Sequence, residues 1–233
     1  MSHWHLKSIN WLEQMPTEFL ERLTCGATIK AVEQGVTVFA PDPDPEVVFL
    51  LESGVCRIFR YTPDGNEFTL GLVVKGEVFG ELAVVNGGPR ESFAVAQAHC
   101  VVWSFPRDLF VKLLHGFPDF AVVVTKQVSG KLLRFEKRAE DLIFRSAASR
   151  LARTLLELGG EFGVNGDRGR TIGVQFTQAE LSSMIGTSRP TASLTLNALR
   201  SAGLIDYSDG VLTLLSCAGL RRIADDPNTR VPR

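Results

Sequence analysis

Cysteine is scarce and scattered. The four, Cys25, Cys56, Cys100 and Cys217, stand too far apart for a CxxC-type metal or redox pair and suggest no exported disulfide framework, so reduced, packed thiols are expected. Histidine is equally thin, with His3 and His5 near the start, His99 and His115 further in, and no HExxH or other ligand spacing. A metal or haem site is therefore not expected. No apolar run approaches the roughly 18 residues a membrane helix needs, and the opening MSHWHLKSINWLEQMP lacks the apolar stretch of a signal peptide. These absences point to a soluble cytoplasmic protein with no membrane partner. No Ser/His/Asp set or paired carboxylates emerge either, which argues against an enzyme. Lysine is missing from the last part of the chain: residues 1–144 carry 14 Lys+Arg against 18 Asp+Glu, whereas residues 145–233 carry 11 against 8, and all eleven are arginine. Arginine is the side chain suited to bidentate contacts with phosphate or guanine.

What is present divides into two characters. The 233 residues, 45% hydrophobic and 22% charged, are enough for two ordinary globular domains. From about 27 to 105, short strand-like runs (VTVFA, EVVFLLESG, VCRIFRYT, EFTLGLVV, FAVAQAHCVVWSF) alternate with turn signals such as PDPDP and PDGN, the pattern of an antiparallel barrel or sandwich. Residues 106–115 predict a short helix with Pro in its first turn. From 119 to about 144 a heptad runs unbroken, with Ala121, Val128, Phe135 and Leu142 at one position and Thr125, Leu132 and Ala139 between them. That seam either packs on the chain's own strands or pairs with the same helix of a second subunit. A helix of roughly 25 residues exceeds what a small barrel covers, which favours the pairing. Ser146 is a plausible N-cap for a further helix carrying Leu151, Leu155 and Leu158 on one face. A Gly-rich linker, GGEFGVNGDRGR, and a strand-like TIGVQF follow.

Residues 177–205, TQAELSSMIGTSRPTASLTLNALRSAGLI, predict two helices about a turn. The first begins near Gln178 and buries Leu181 and Ile185; Gly186 makes the turn; Ser188 caps a second helix running to about Ser201. In a helix-turn-helix the second helix enters the major groove by its N-terminal end. Arg189, Thr191 and Ser193 would then face DNA and Ala192, Leu196 and Leu199 the core. No acidic residue stands between Ser182 and Ile205, as a surface meeting phosphates requires. DYSDGVLTL reads as a ribbon closed by Asp209-Gly210, making the domain winged.

The remaining motif is VFGELAVVNGGPRESFAVA at 78–96. With this GEL…PR cassette in a β-rich first domain, then a heptad helix, then a winged helix-turn-helix, the chain resembles the CRP/FNR family of bacterial transcription regulators over about residues 20–220. The resemblance implies an α+β fold: an N-terminal antiparallel β jelly-roll of the cyclic-nucleotide-binding kind (1–118), a dimerisation helix (119–145) and a C-terminal winged helix-turn-helix domain (146–233). It implies a homodimer through Ala121, Val128, Leu132, Phe135, Ala139 and Leu142, a palindromic double-stranded DNA site near a promoter, and contact with RNA polymerase.

In cyclic-nucleotide-binding members, the residues matching Gly80, Glu81 and Leu82 form the cassette turn, the Glu accepts from the ribose hydroxyl and the residue matching Arg90 pairs with the cyclic phosphate. Glu91 departs from the small residue usual after that Arg. A carboxylate about 4 Å from a phosphate would cost on the order of 4 kcal/mol at an effective dielectric near 20, unless strand alternation turns it away. Phe135-Glu136 stands where cAMP binders carry Thr-Ser; Phe135 either stacks on a base or fills the dimer seam. The effector is thus open, with a cyclic nucleotide as one candidate, and with only Cys25 in the first 55 residues no iron–sulfur centre is expected. On the DNA side, Arg189 is kept while Pro190 and Leu194 replace charged readers, so the operator should differ from the family consensus. Thr177 and Gln178 are expected at the DNA backbone, and Ser188, Arg189, Thr191, Ser193 and Leu194 along the recognition helix. The rival reading is a cyclic-nucleotide-binding regulatory protein whose C-terminal part contacts protein instead of DNA.

Overall fold

The computed structural model of the chain describes residues 9–229; His3 and His5 lie outside them. The chain forms two compact units, one running to Arg60 and from Gly71 to Leu133, the other comprising Tyr61–Leu70 and the chain from Arg134 onward.

The first unit begins with a 3-10 turn, Leu12–Gln14, and helix α1 (Thr17–Gly26), then strands β1 (Thr28–Val32), β2 (Thr37–Phe39), β3 (Val47–Ser53), β4 (Cys56–Tyr61), β5 (Glu67–Val73) and β6 (Val78–Phe79). A short helix α2 (Glu81–Asn86), strands β7 (Phe93–Ala96) and β8 (Cys100–Pro106) and helix α3 (Arg107–Gly116) follow, and α4 (Pro118–Phe144) continues into the second unit. The strands make two four-stranded sheets, β1-β8-β3-β6 and β2-β7-β4-β5. Thus the expected antiparallel β domain, long helix and helix-turn-helix are all present.

The apolar run at 47–51 does not alternate because β3 is buried on both faces. Val48 and Leu50 join Phe19, Leu23, Phe105, Phe110, Leu113, Phe120 and Val124 in a core on the helix side of the first sheet. Phe49 and Leu51 join Phe39, Cys56, Val73, Phe79 and Val102 in a second core on the other face. Strand β8 does the same, with Trp103 opposite Leu50. The run FAVAQAHCVVWSF is two strands rather than one, broken by a bend at 97–99. Pro106 stands at the N-cap of α3, one position before the expected first turn. The N-terminal helix α1 packs its Phe19 ring against Phe117 and Phe120, at 5.2 and 5.0 Å between centroids.

In the second unit, α5 (Ala147–Phe162) is capped by Ser146, whose Oγ accepts from the Ser149 N–H, and it buries Leu151, Leu155 and Leu158 as the spacing predicts. The segment read as a Gly-rich linker is instead the end of α5 and a hairpin, β9 (Gly163–Gly166) paired with β10 (Gly169–Ile172). Gly159, Gly163 and Gly169 are there for close approach: a Cβ on Gly159 would lie 2.5 Å from Leu214 Cδ1. The strand expected over TIGVQF ends at Ile172.

Helices α6 (Gln178–Ile185) and α7 (Arg189–Ser201) form the helix pair, and β11 (Ile205–Ser208) and β12 (Val211–Leu214) the ribbon, which extends β10-β9 into a four-stranded sheet; α8 (Cys217–Asp225) closes the unit. Asp209 and Gly210 both have positive φ, 51° and 79°, as a tight hairpin demands. Among the described residues, no helix is long and apolar enough to cross a membrane.

Candidate functional site

The cassette is built by backbone constraints. Gly80 ends β6 at φ 76°, a left-handed conformation, and starts α2; Gly87, at φ 67°, ends it. So the expected Gly-Glu-Leu turn is the entry to a six-residue helix, and only glycine makes the turn without strain. A Cβ on Gly80 would also sit 3.1 Å from Arg90 Nη2 and from the Phe49 ring.

Glu81, 2% exposed, points inward. Its Oε1 accepts from Lys131 Nζ at 2.9 Å, and the same ammonium donates to the Val78 carbonyl at 2.7 Å. One turn earlier on α4, Gln127 Oε1 accepts from the Val78 N–H and its Nε2 donates to the Gly76 carbonyl, each at 2.9 Å. Two α4 side chains thereby hold Val78 by its N–H and its carbonyl, with Gly76 before it and Glu81 after it. Sequence reasoning missed them. The signal was a second stripe, Phe120–Val124–Gln127–Lys131, at 4, 3 and 4 residues, beside the heptad seam.

Arg90 is 7% exposed. Its Nη2 donates to the Val47 carbonyl at 2.6 Å and to the Gly80 carbonyl at 3.1 Å, and its guanidinium carbon lies 4.4 Å from the Phe39 centroid and 5.5 Å from that of Phe49. Its backbone bridges to Asp42. Burial lowers the pKa of Arg90 from its ordinary value, with the Asp42 and Glu81 carboxylates opposing that shift. Its Nε is buried with no hydrogen-bond partner among the described residues.

Glu91 faces the other way: its carboxylate is 59% exposed and pairs with Arg60 at 2.8 Å. Adjacent residues on extended backbone point to opposite sides, so the like-charge cost anticipated beside Arg90 does not arise. The Glu81 carboxylate is thus held by Lys131 and the Arg90 guanidinium by two carbonyls. Leu82 is half exposed. Phe135, also about half exposed, belongs to the second unit.

In the helix pair, Thr177 Oγ1 accepts from the Glu180 N–H while the Glu180 carboxylate accepts from the Thr177 N–H at 2.7 Å and from its hydroxyl at 3.0 Å, a reciprocal cap. Gln178 is half-buried behind it. Gly186, at φ 60°, turns the chain, and a Cβ there would lie 2.5 Å from Leu142 Cδ2. Ser188 caps α7, its Oγ accepting from the Thr191 N–H, with Pro190 harmlessly in the first turn. Ala192, Leu196 and Leu199 are buried; Ser188, Arg189, Thr191 and Leu194 are exposed and Ser193 is half-buried. An unobstructed helix N-terminus carrying an exposed arginine, with no carboxylate on α7, is suited to the edge of a base in a groove.

Along α4, only Phe120 and Val124 are buried; from Thr125 to Phe144 none is. Of the heptad seam, Ala121, Val128 and Ala139 are half-buried, and Leu132, Phe135 and Leu142 are exposed at 55%, 48% and 37%.

Comparison with known proteins agrees with these two regions. Residues 29–116 match the cyclic nucleotide-binding domain and residues 149–223 the Crp-like helix-turn-helix domain. The chain is 32% identical over 194 residues to the global nitrogen regulator of Synechococcus elongatus, covering 82% of this chain and 87% of that protein. It is 29% identical to a CRP-like cAMP-activated global transcriptional regulator of Mycobacterium tuberculosis, over 74% of this chain and 77% of that one. Among solved structures, the c-di-GMP responsive regulator CLP of Xanthomonas campestris superimposes with a TM-score of 0.77 at 22% identity, covering 86% of this chain and all of that one.

Proposed function

The chain belongs to the CRP/FNR family of bacterial transcription regulators, and from that premise we propose that it acts in the cytoplasm as a homodimer on a palindromic promoter site, under an effector received at the cassette. The observation that carries the DNA reading is α7, with its capped, acid-free N-terminus and exposed Arg189. It also favours DNA over a protein-contacting rival. Arg189 reads a guanine, Thr177, Gln178 and Ser188 lie along the backbone, and Thr191, Ser193 and Leu194 follow the groove. RNA polymerase is the partner at the promoter.

The homodimer is supported by α4. Twenty residues without a buried side chain, carrying exposed Leu132, Phe135 and Leu142, form an apolar face of the kind a second copy covers. The effector-receiving, dimerising and DNA-binding segments then divide near 118 and 145.

For the effector, the residues fit an anionic nucleotide. Arg90 is a desolvated cation with a buried donor still available, suited to a phosphate, and Glu81 is a buried acceptor suited to a sugar hydroxyl. A hydroxyl at Glu81 competes with Lys131, and a change at Lys131 is a change on α4. Binding is thereby linked to the dimer helix, and linkage requires that the effector favour one arrangement of α4 over the other.

The test is DNA retention by the purified chain at increasing salt, with and without cAMP, cGMP and c-di-GMP, alongside sedimentation. A dimer with saturable, salt-dependent binding that one nucleotide strengthens is expected. A monomer without salt-dependent binding under every condition overturns the reading.

A further inference from the structure

One exposed side chain on α7 has no part in the reading so far. With Ala192, Leu196 and Leu199 buried and about 100° per residue, the centre of the opposite face runs through Pro190, Leu194, Asn197 and Ser201, all exposed. Of the hydroxyls near that line, Ser188 and Thr191 hold each other at 2.9 Å and Thr195 donates to the Thr191 carbonyl at 2.8 Å. The Asn197 amide makes no hydrogen bond among the described residues.

We infer that Leu194 and Asn197 read two adjacent A·T base pairs in each half-site, with Asn197 fixing an adenine; this rests on the DNA-binding reading above. An amide can donate to a phosphate oxygen, but the centre of the groove-facing line meets the groove floor, where base edges stand, and the phosphates lie at its rims. A primary amide carries a donor and an acceptor side by side, which matches adenine's N7 and N6–H2, whereas guanine offers two acceptors on that edge. Leu194, 71% exposed, meets the one apolar group in the major groove, the thymine methyl. Three residues of helix advance about 4.5 Å, close to the roughly 3.4 Å between stacked bases, so the two side chains meet neighbouring pairs. Asn197 lies about 12 Å beyond Arg189 along the helix, about three to four base steps at the same spacing. The arginine and the amide therefore address separate positions of one half-site.

The experiment is selection of bound sequences from a random duplex pool by the full chain, wild type against Asn197→Ala, with and without the three nucleotides. Wild type is expected to enrich a palindrome with an A·T step in each half. Asn197→Ala is expected to lose about tenfold of the preference at one pair of that step and to keep the remaining positions. Asn197→Asp, which only accepts, should move that pair toward cytosine. Because position 197 is exposed and alanine favours helix, the variants should fold. A motif unchanged in Asn197→Ala, or weakened equally everywhere, overturns the assignment and leaves DNA binding standing. A wild-type chain that enriches no sequence in any condition overturns the DNA-binding reading, and the assignment with it.

Discussion

Replacing Lys131 with methionine keeps the length of the side chain and removes its charge, leaving the Glu81 carboxylate, 3% exposed as a side chain, without its cation. At 2.9 Å the pair attracts by several kcal/mol at an effective dielectric of about 20. Removing one partner of a buried pair costs about 3–5 kcal/mol, because the remaining charge stays desolvated. The Lys131 side chain is 26% exposed, so water screens part of the attraction and enters when the ammonium leaves, and about 2–3 kcal/mol is the expected loss. The Val78 carbonyl loses the same donor, a cost that water entering at the partly exposed Lys131 position limits. In a urea titration the transition of the first unit should move to lower denaturant without a change in slope. The double variant Lys131→Met/Glu81→Gln should recover most of the loss, since a neutral amide no longer needs a cation. An unchanged midpoint in Lys131→Met, or a double variant no more stable than the single, would refute the claim that Glu81 depends on Lys131.

Further perturbations test the rest. Arg189→Ala should cost about 1–3 kcal/mol at a single base pair and relax the preference for guanine there, measured by binding to single-base operator variants; a uniform loss would make Arg189 a phosphate contact. Gly186→Ala places a Cβ in a left-handed turn and against Leu142, and a loss of about 1–3 kcal/mol in urea unfolding is expected, together with weakened DNA binding. Leu132→Glu with Phe135→Glu sets like charges across the proposed seam; sedimentation should show monomers, and a persisting dimer would move the interface elsewhere.

The parts legible in the sequence are those set by local chemistry. Ser146, Ser188 and the Asp209-Gly210 pair announce caps and a turn because short polar side chains and glycine satisfy backbone groups within a few residues, and each stands where it was read. The hairpin at 163–172 was hidden because Gly159 serves a contact with Leu214, distant in sequence, and Gly163 one with Arg170 across the hairpin itself, and composition alone resembles a linker. Arg90 and Glu81 were found as a motif, but their partners were not. Lys131 and Gln127 lie about 40 to 50 residues beyond on a helix whose obvious period described a different face. Glu91 was foreseen as a difficulty with its remedy, strand alternation, and the pairing with Arg60 shows how that remedy works. Asn197 went unread because an exposed amide on a helix carries no signal until the opposite face is known to be buried.

Strand β3 is the common wall of two cores, and its consecutive residues report to different neighbours. Leu50 contributes to the core that includes Phe120 and Val124 of α4, and Leu51 to the one that includes Phe79 beside the cassette. In a genetic screen for altered regulation, lesions at these two adjacent codons should therefore fall into separate phenotypic classes. Alleles at 50 should be suppressed by second-site changes on α4, and alleles at 51 by changes near the cassette.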